Sequence, residues 1–361
     1  MIAALSSLGA EFSWSGADLT ITPHELLGPA RIDCGLAGTV MRFVPPMAML
    51  AKGEVFFDGD DGARQRPMAT TVDSLRALGA EVISSDGRLP FTVLGTGSVQ
   101  GGELEIDASA SSQFVSGLLL SAARFDQGVV LTHRGDSLPS LPHIEMTLET
   151  LRQRGVRAKI LSEASWQVLP GVISGGQIAI EPDLSNAGPF MAAAMVSSGE
   201  LTIPNWPSST TQVGDHYRAI LEQMGASIKL NGSSLTISGT REISGIDIDL
   251  GEAGELTPTV AALAALASTP SRLTGIGHLR GHETDRLKAL VTEINNLGGN
   301  AKELEDGIAI TPAKLNGGTW HTYHDHRMAT SGAIIGLVVP SVKVENIATT
   351  SKTMPGFSDM W

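Results

Sequence analysis

Two kinds of helical pattern alternate along the chain. The first is amphipathic and stops at glycine. "MIAALSSLGA" carries apolar residues at Ile2, Leu5 and Leu8 on one helical face and ends at Gly9. The same ending recurs in "TTVDSLRALGAEV" at Gly79, "MTLETLRQRGVRAKI" at Gly155, "HYRAILEQMGASIKL" at Gly225 and "LVTEINNLGGNAKEL" at Gly298. Glycine just past the last apolar position is a helix stop signal, and each of these stops is followed by a short β pattern. The second kind is apolar nearly all round and rich in small residues, which predicts burial on every side. Its copies are "AGTVMRFVPPMAMLA", "SSQFVSGLLLSAA", "SNAGPFMAAAMVSSG", "LTPTVAALAALAS" and "HRMATSGAIIGLV". A strand signal follows each copy: "EVFFDG", "GVVLTH", "ELTIPN", "SRLTGI" and "SVKVEN".

The repeating unit is therefore buried helix, strand, loop, amphipathic helix and strand pair, with a period of roughly 73 residues. A fixed period of that length marks a modular architecture, and mixed units with buried helices predict layered α/β packing. Composition resets around "QIAIEPDLSNAG", which places a domain boundary near Glu181 and Pro182, giving domains 1–180 and 181–361. The phase of the repeat makes residues 1 to about 25 the second half of a unit. It also makes the segment after residue 343 the start of another, ending within its amphipathic helix.

Composition narrows the functional classes. The chain has 361 residues, 42% of them hydrophobic and 17% charged, with 41 glycines, enough material for two or three globular domains. A formal net charge of −13 argues against nucleic acid or an anionic membrane as partner. It leaves room for an anionic small molecule held by local arginines. A single cysteine, Cys34, excludes an internal disulfide and suits a reducing cytoplasm. The longest apolar runs fall well short of a membrane span.

Chemistry-bearing residues cluster at the starts of the helices. In "HETDRL", Glu283 and Arg286 are spaced i, i+3 and would be neighbours on a helix, an ordinary ion pair in the bland reading. In "YHDHRMA", Arg327 sits at the start of a buried helix and needs an anionic partner, either Asp325 or a bound anion. His321, His324 and His326 match no strong zinc spacing, so no metal is expected. The serines of "DASASSQF", Ser109, Ser111 and Ser112, read as N-caps, yet with Gln113 they exceed what capping requires and suit a polyhydroxyl or phosphate ligand. "CGLAGTVMRF" places Gly38, Thr39 and Arg42 at a buried helix. Arg66 in "RQRPM" and Lys352 in "TTSKTMP" lie in equivalent loops of the repeat. Five cations at unit loops of an acidic protein favour a site for a multiply charged anion, with Glu255 and Glu283 available for proton transfer.

At these residues the chain resembles the 5-enolpyruvylshikimate-3-phosphate synthases, also called 3-phosphoshikimate 1-carboxyvinyltransferases. The matching motifs are "GLAGTVMRF", "RQRPM", "SASSQF", "SLPSLPH", "GELTPTVAALA", "RGHETDRL", "DHRMA" and "SKTMP", in order along the whole chain. The resemblance implies an α/β, two-domain enolpyruvyl transferase fold built from repeated βαβαββ units around buried helices, with the site in the cleft between the domains. It implies transfer of the enolpyruvyl group of phosphoenolpyruvate to the 5-hydroxyl of shikimate 3-phosphate, with phosphate released and no cofactor or metal. Such an enzyme serves chorismate and aromatic amino acid biosynthesis in the cytoplasm, here expected as a monomer whose partners are these two small molecules, with no nucleic acid and no membrane.

Carried over position by position, Ser111, Ser112, Gln113, Ser140, Glu255 and His282 are expected to hold shikimate 3-phosphate. Gly38, Arg66, Gln113, Arg286, Arg327 and Lys352 are expected to hold phosphoenolpyruvate. Glu255 and Glu283 are the expected acid–base groups, and Thr39, Arg42, Asp325 and His326 support them. Glu255 stands where many members have aspartate and His282 where many have lysine. Leu36 and His143 replace an asparagine and a tyrosine, and no role transfers to them. The family's Lys-Ser-x-x-x-x-Arg element has no match here and belongs to the half-unit that the repeat phase places before Met1. The chain is accordingly read as N-terminally shortened. The competing reading is a non-catalytic remnant that binds shikimate 3-phosphate weakly or offers an interaction surface. An acceptor of the UDP-N-acetylglucosamine type is disfavoured, because the loop cysteine of those relatives has no counterpart.

Overall fold

The computed structural model describes residues 1–240 and 242–361. The chain divides into two compact units, Met1–Gln177 and Ile178–Trp361. Each has its own hydrophobic core, one of which runs from Ala4 to Val168 and the other from Leu184 to Val339.

The first unit begins with helix α1 (Ile2–Ser7) and the hairpin β1 (Glu11–Ser15) and β2 (Asp18–Thr22). In α1 the buried face is Ala4 and Leu8, whereas Ile2 of the expected apolar face is exposed. Two complete repeats follow. The first comprises β3 (Ala30–Asp33), α2 (Gly38–Ala48), β4 (Lys52–Asp58), a short α3 (Asp61–Arg64), α4 (Ala69–Ala77), β5 (Glu81–Ser84) and β6 (Phe91–Thr96). Next come β7 (Gly102–Ile106), α5 (Gln113–Ala122), β8 (Val129–His133), α6 (Leu141–Gln153), β9 (Ala158–Ser162) and β10 (Ser165–Val168). Each repeat forms a four-stranded sheet, ordered β3-β4-β6-β5 and β7-β8-β10-β9, with the first pair parallel and the rest antiparallel.

The second unit uses the same parts. It contains α7 (Leu184–Val196), β11 (Glu200–Ile203), α8 (Tyr217–Gln223), β12 (Ser227–Asn231) and β13 (Ser234–Ser238). A full repeat follows: β14 (Asp247–Asp249), α9 (Thr257–Ala265), β15 (Ser271–Thr274), α10 (Arg286–Asn296), β16 (Asn300–Leu304) and β17 (Gly307–Thr311). Last come β18 (Gly318–Trp320), α11 (His326–Gly336), β19 (Val342–Val344) and α12 (Phe357–Met360). Their sheets have three, four and two strands, ordered β11-β13-β12, β14-β15-β17-β16 and β18-β19.

All five helices predicted to be apolar all round become central helices. In the first unit α2 packs on α5, and in the second α7, α9 and α11 pack on one another. All nine residues of α9 are buried. Close approach of α2 and α5 depends on Gly117, where an added Cβ would lie 2.3 Å from the Arg42 carbonyl oxygen. The stop glycines Gly9, Gly79, Gly155, Gly225 and Gly298 all have positive φ, between 78° and 107°, the left-handed turn that ends each amphipathic helix and sends the chain into a strand. Cys34, at the end of β3, is buried, and burial with Asp33 and Asp58 nearby pushes its thiol up to about 12. Among the described residues no helix is long and apolar enough to cross a membrane.

Candidate active site

In the first unit the parallel strands β3 and β4 deliver two loops to the N-terminal end of α2. Gly38 is the first residue of α2, and Arg42 lies one turn further on. Arg66 comes from the loop between α3 and α4 and donates to the Leu36 carbonyl at 3.2 Å. Both guanidiniums crowd Gly38: a Cβ there would lie 2.8 Å from Arg42 Nη1 and 2.8 Å from Arg66 Nη2. Any side chain at this position would push the two guanidiniums aside. Arg42 is almost wholly buried, donates to Gln113 Oε1 at 2.9 Å and lies over the Phe114 ring at 5.2 Å. Burial and the neighbouring Arg66 push the Arg42 guanidinium down to about 9, the mark of like charges held close in a dry setting.

Gln113 opens α5 and presents its oxygen to Arg42, which leaves its amide nitrogen as a donor for something else. The serines before α5 do not cap it as expected. Ser112 occupies the N-cap position without a side-chain capping bond, and Ser111 Oγ instead accepts the Gln113 N–H at 3.3 Å. The Ser112 backbone is already turned into the helix, so its hydroxyl is not spent on capping the first turn. Ser140 stands before α6 with φ of 56°. Thr39 is exposed on the first turn of α2, and Leu36 and His143 are half-buried.

The second unit gathers a denser cluster at the N-termini of α10 and α11. Asp325 is fully buried and caps α11 by accepting the Arg327 N–H at 2.8 Å. Its carboxylate also takes Arg286 in a two-point contact, Nε to Oδ2 at 2.7 Å and Nη2 to Oδ1 at 3.2 Å. Arg286 is the first residue of α10, so this pair ties two helix ends together. Glu283 precedes α10 rather than lying on it, because Asp285 caps that helix by accepting the Lys288 N–H. The i, i+3 contact with Arg286 forms nonetheless, at 3.8 Å. Glu283 also meets His326 Nδ1 at 3.0 Å and is paired with Lys352, from the turn Ile347–Lys352.

Burial alone would raise Glu283, but the His326 hydrogen bond and the charges of His326, Arg286 and Lys352 hold it well below the usual carboxylate range. Burial pushes His326 below its ordinary value, against the pull of Glu283. Arg286 is raised despite its burial, because Asp325, Glu283 and Glu255 surround it. Glu283, Asp325 and His326 offer three possible metal-ligand atoms within 4.8 Å of one another. The same carboxylates already face Arg286 and Lys352, so a divalent cation would have to displace fixed positive charge.

Glu255, from the turn before α9, accepts Ser185 Oγ at 2.8 Å and lies 3.9 Å from Arg327 Nη2. His282 Nδ1 is 3.4 Å from Arg286 Nη1, and its ring packs edge-on against His278 at 5.7 Å. All six binding and acid–base residues expected from this half of the chain, together with Asp325 and His326, are thereby placed: Glu255 with Arg327, and His282, Glu283, Arg286, Asp325, His326 and Lys352 in one chain of contacts.

Two supporting residues were not legible in the sequence. Ser185 orients Glu255 from α7, about seventy residues away. Glu293, fully buried on α10, accepts the Tyr323 hydroxyl at 2.6 Å and the His321 N–H at 2.9 Å, holding the loop whose Tyr323 and His324 both have positive φ. A glutamate on an amphipathic helix gives no sign of burial by itself. The only hint was its place seven residues after Arg286, on the same helical face.

A family profile described as EPSP synthase (3-phosphoshikimate 1-carboxyvinyltransferase) matches residues 1–361. A curated 3-phosphoshikimate 1-carboxyvinyltransferase from Kocuria rhizophila is 59% identical across the whole chain, which covers 84% of that protein's length. Two solved structures of EPSP synthase from Acinetobacter baumannii superpose with TM-scores of 0.80 and 0.79, at 25% and 24% identity, over 99% of this chain and 85% of theirs. With the repeat architecture and the motif residues in place, the chain belongs to the EPSP synthase family.

Proposed function

We propose that this chain transfers the enolpyruvyl group of phosphoenolpyruvate to the 5-hydroxyl of shikimate 3-phosphate and releases phosphate, as a cytoplasmic monomer. The observation that carries the reading most directly is the chain of contacts from Lys352 through Glu283 and Arg286 to Asp325, beside Arg327 and Glu255. It supplies fixed cations for a substrate with a phosphate and a carboxylate, together with two carboxylates for proton movement.

The reaction forms a bond from the hydroxyl oxygen to C2 of phosphoenolpyruvate while C3 takes a proton. The resulting tetrahedral adduct then loses a proton from C3 and expels phosphate. Glu255 is assigned the hydroxyl proton. Its Ser185 hydrogen bond fixes one oxygen, with Arg327 3.9 Å away. Glu283 is assigned the C3 proton. In the free protein the His326 hydrogen bond and the charges of Arg286 and Lys352 keep it ionised. An arriving anion shares Lys352 and Arg286, weakens that stabilisation, and moves Glu283 toward the protonated form that a donor needs. Arg286, Arg327 and Lys352, with Gly38, Arg66 and Gln113, are assigned to phosphoenolpyruvate. Ser111, Ser112, Gln113, Ser140, Glu255 and His282 are assigned to shikimate 3-phosphate, with Thr39, Arg42, Asp325 and His326 in support.

Phosphate release from phosphoenolpyruvate tests the reading. It is expected to require shikimate 3-phosphate and to be absent with UDP-N-acetylglucosamine as acceptor. Binding of shikimate 3-phosphate without phosphate release would overturn the activity and leave a binding protein. Gel filtration at the mass of one chain is the expected result for the oligomeric state.

A further inference from the structure

His133 ends β8 and is buried, with 7% of its surface exposed. Its Nδ1 faces the Ala108 N–H at 3.1 Å in a buried hydrogen bond and the Gly135 N–H at 3.4 Å. Two backbone donors converge on one ring nitrogen. That nitrogen must therefore accept, and the ring is the neutral tautomer with its hydrogen on Nε2. Its own backbone N–H donates to the Ala164 carbonyl at 2.8 Å, which fixes the ring's base to the loop between β9 and β10.

The two amides belong to different loops. Ala108 leads from β7 into the serines Ser111 and Ser112, and Asp107 Oδ1 braces that turn by accepting the Ser109 N–H at 2.9 Å. Gly135 leads from β8 toward Ser140. The loops are pressed together at this point: a Cβ on Gly135 would lie 2.0 Å from Ser109 Oγ, 2.3 Å from Asp107 Oδ1 and 2.5 Å from His133 Cε1. Thus one imidazole, seated against a residue with no side chain, sets the spacing of the two loops that carry Ser111, Ser112 and Ser140.

We propose that His133 is a positioning residue for shikimate 3-phosphate: its Nδ1 staples the Asp107–Ser112 loop to the Arg134–Ser140 loop, so that the serine hydroxyls on both meet one phosphorylated acceptor. The proposal rests on the assignment of those serines given above. Arg134 takes no part in the staple, because its guanidinium is turned to Glu105.

Titration calorimetry with shikimate 3-phosphate and steady-state kinetics, on the whole chain, test it. His133→Ala removes the acceptor and should weaken shikimate 3-phosphate affinity about tenfold, the loss of one to two modest hydrogen bonds, with kcat changed less than KM. His133→Asn places an amide oxygen near the Nδ1 position and should restore most of that loss. Gly135→Ala should mimic His133→Ala, since its Cβ enters the space of Ser109 and His133. Thermal melting of each variant identifies general unfolding. Wild-type affinity in folded His133→Ala, or an Asn variant as weak as Ala, overturns the staple. Ser112→Ala in the same titration separates the two levels. If it weakens binding while His133→Ala does not, the serine assignment stands and the staple fails; if neither does, both fail.

Discussion

At the scale of single residues, the second unit shows how a cluster of charge becomes specific. Asp325 and Arg286 are both buried and satisfy each other, with Asp325 also capping α11. Arg327, by contrast, has Glu255 only at 3.9 Å, so its charge is less fully matched. Arg327→Ala is expected to raise KM for phosphoenolpyruvate by about tenfold to a hundredfold, the loss of a charge-assisted hydrogen bond. An unchanged KM in steady-state assays would remove Arg327 from the site. Glu283 makes a second expectation. Its folded value lies below its ordinary 4.5, so it contributes stability above that pH, and the contribution fades as pH falls below it. Denaturant titrations between pH 3 and 7 should show wild-type stability falling toward the acid end, and Glu283→Gln should flatten that slope. A slope identical in the two proteins would sink the assignment. The motif residues were legible through the run of motifs shared with the family, since a helix start with paired Arg and Asp or Glu reads equally as an ordinary ion pair. Ser185 and Glu293 were not, because nothing in a lone serine or a surface-patterned glutamate tells which distant group it will meet.

At the scale of elements, the repeat was readable from period alone. Five strand signals after five apolar helices all became strands, β4, β8, β11, β15 and β19. The sheet order was not readable, since pairing between non-consecutive strands such as β4 and β6 depends on packing rather than local pattern. The glycine stops offer a clean measurement. At Gly79, with φ of 96°, a Cβ would meet nothing within 4 Å, so Gly79→Ala isolates backbone strain. It should cost about 1–2 kcal/mol in chemical denaturation, and a neutral result would mean the turn relaxes freely. Asp285→Ala removes the cap of α10 and should cost about 1 kcal/mol, measured the same way.

At the scale of the whole molecule, two units with separate cores need not unfold as one. Calorimetric scans are expected to show a measured enthalpy exceeding the van't Hoff value, the sign of more than one cooperative step. A single two-state transition would contradict independent cores. The chain also carries a built-in clock for one of these events. Its only thiol, Cys34, is shut inside the first unit with its ionisation pushed up to about 12, and the second unit has none. A thiol reagent at neutral pH can therefore react only when the first unit opens. The labelling rate would time that unit's breathing alone, separately from anything the second unit does, without adding a probe to the protein.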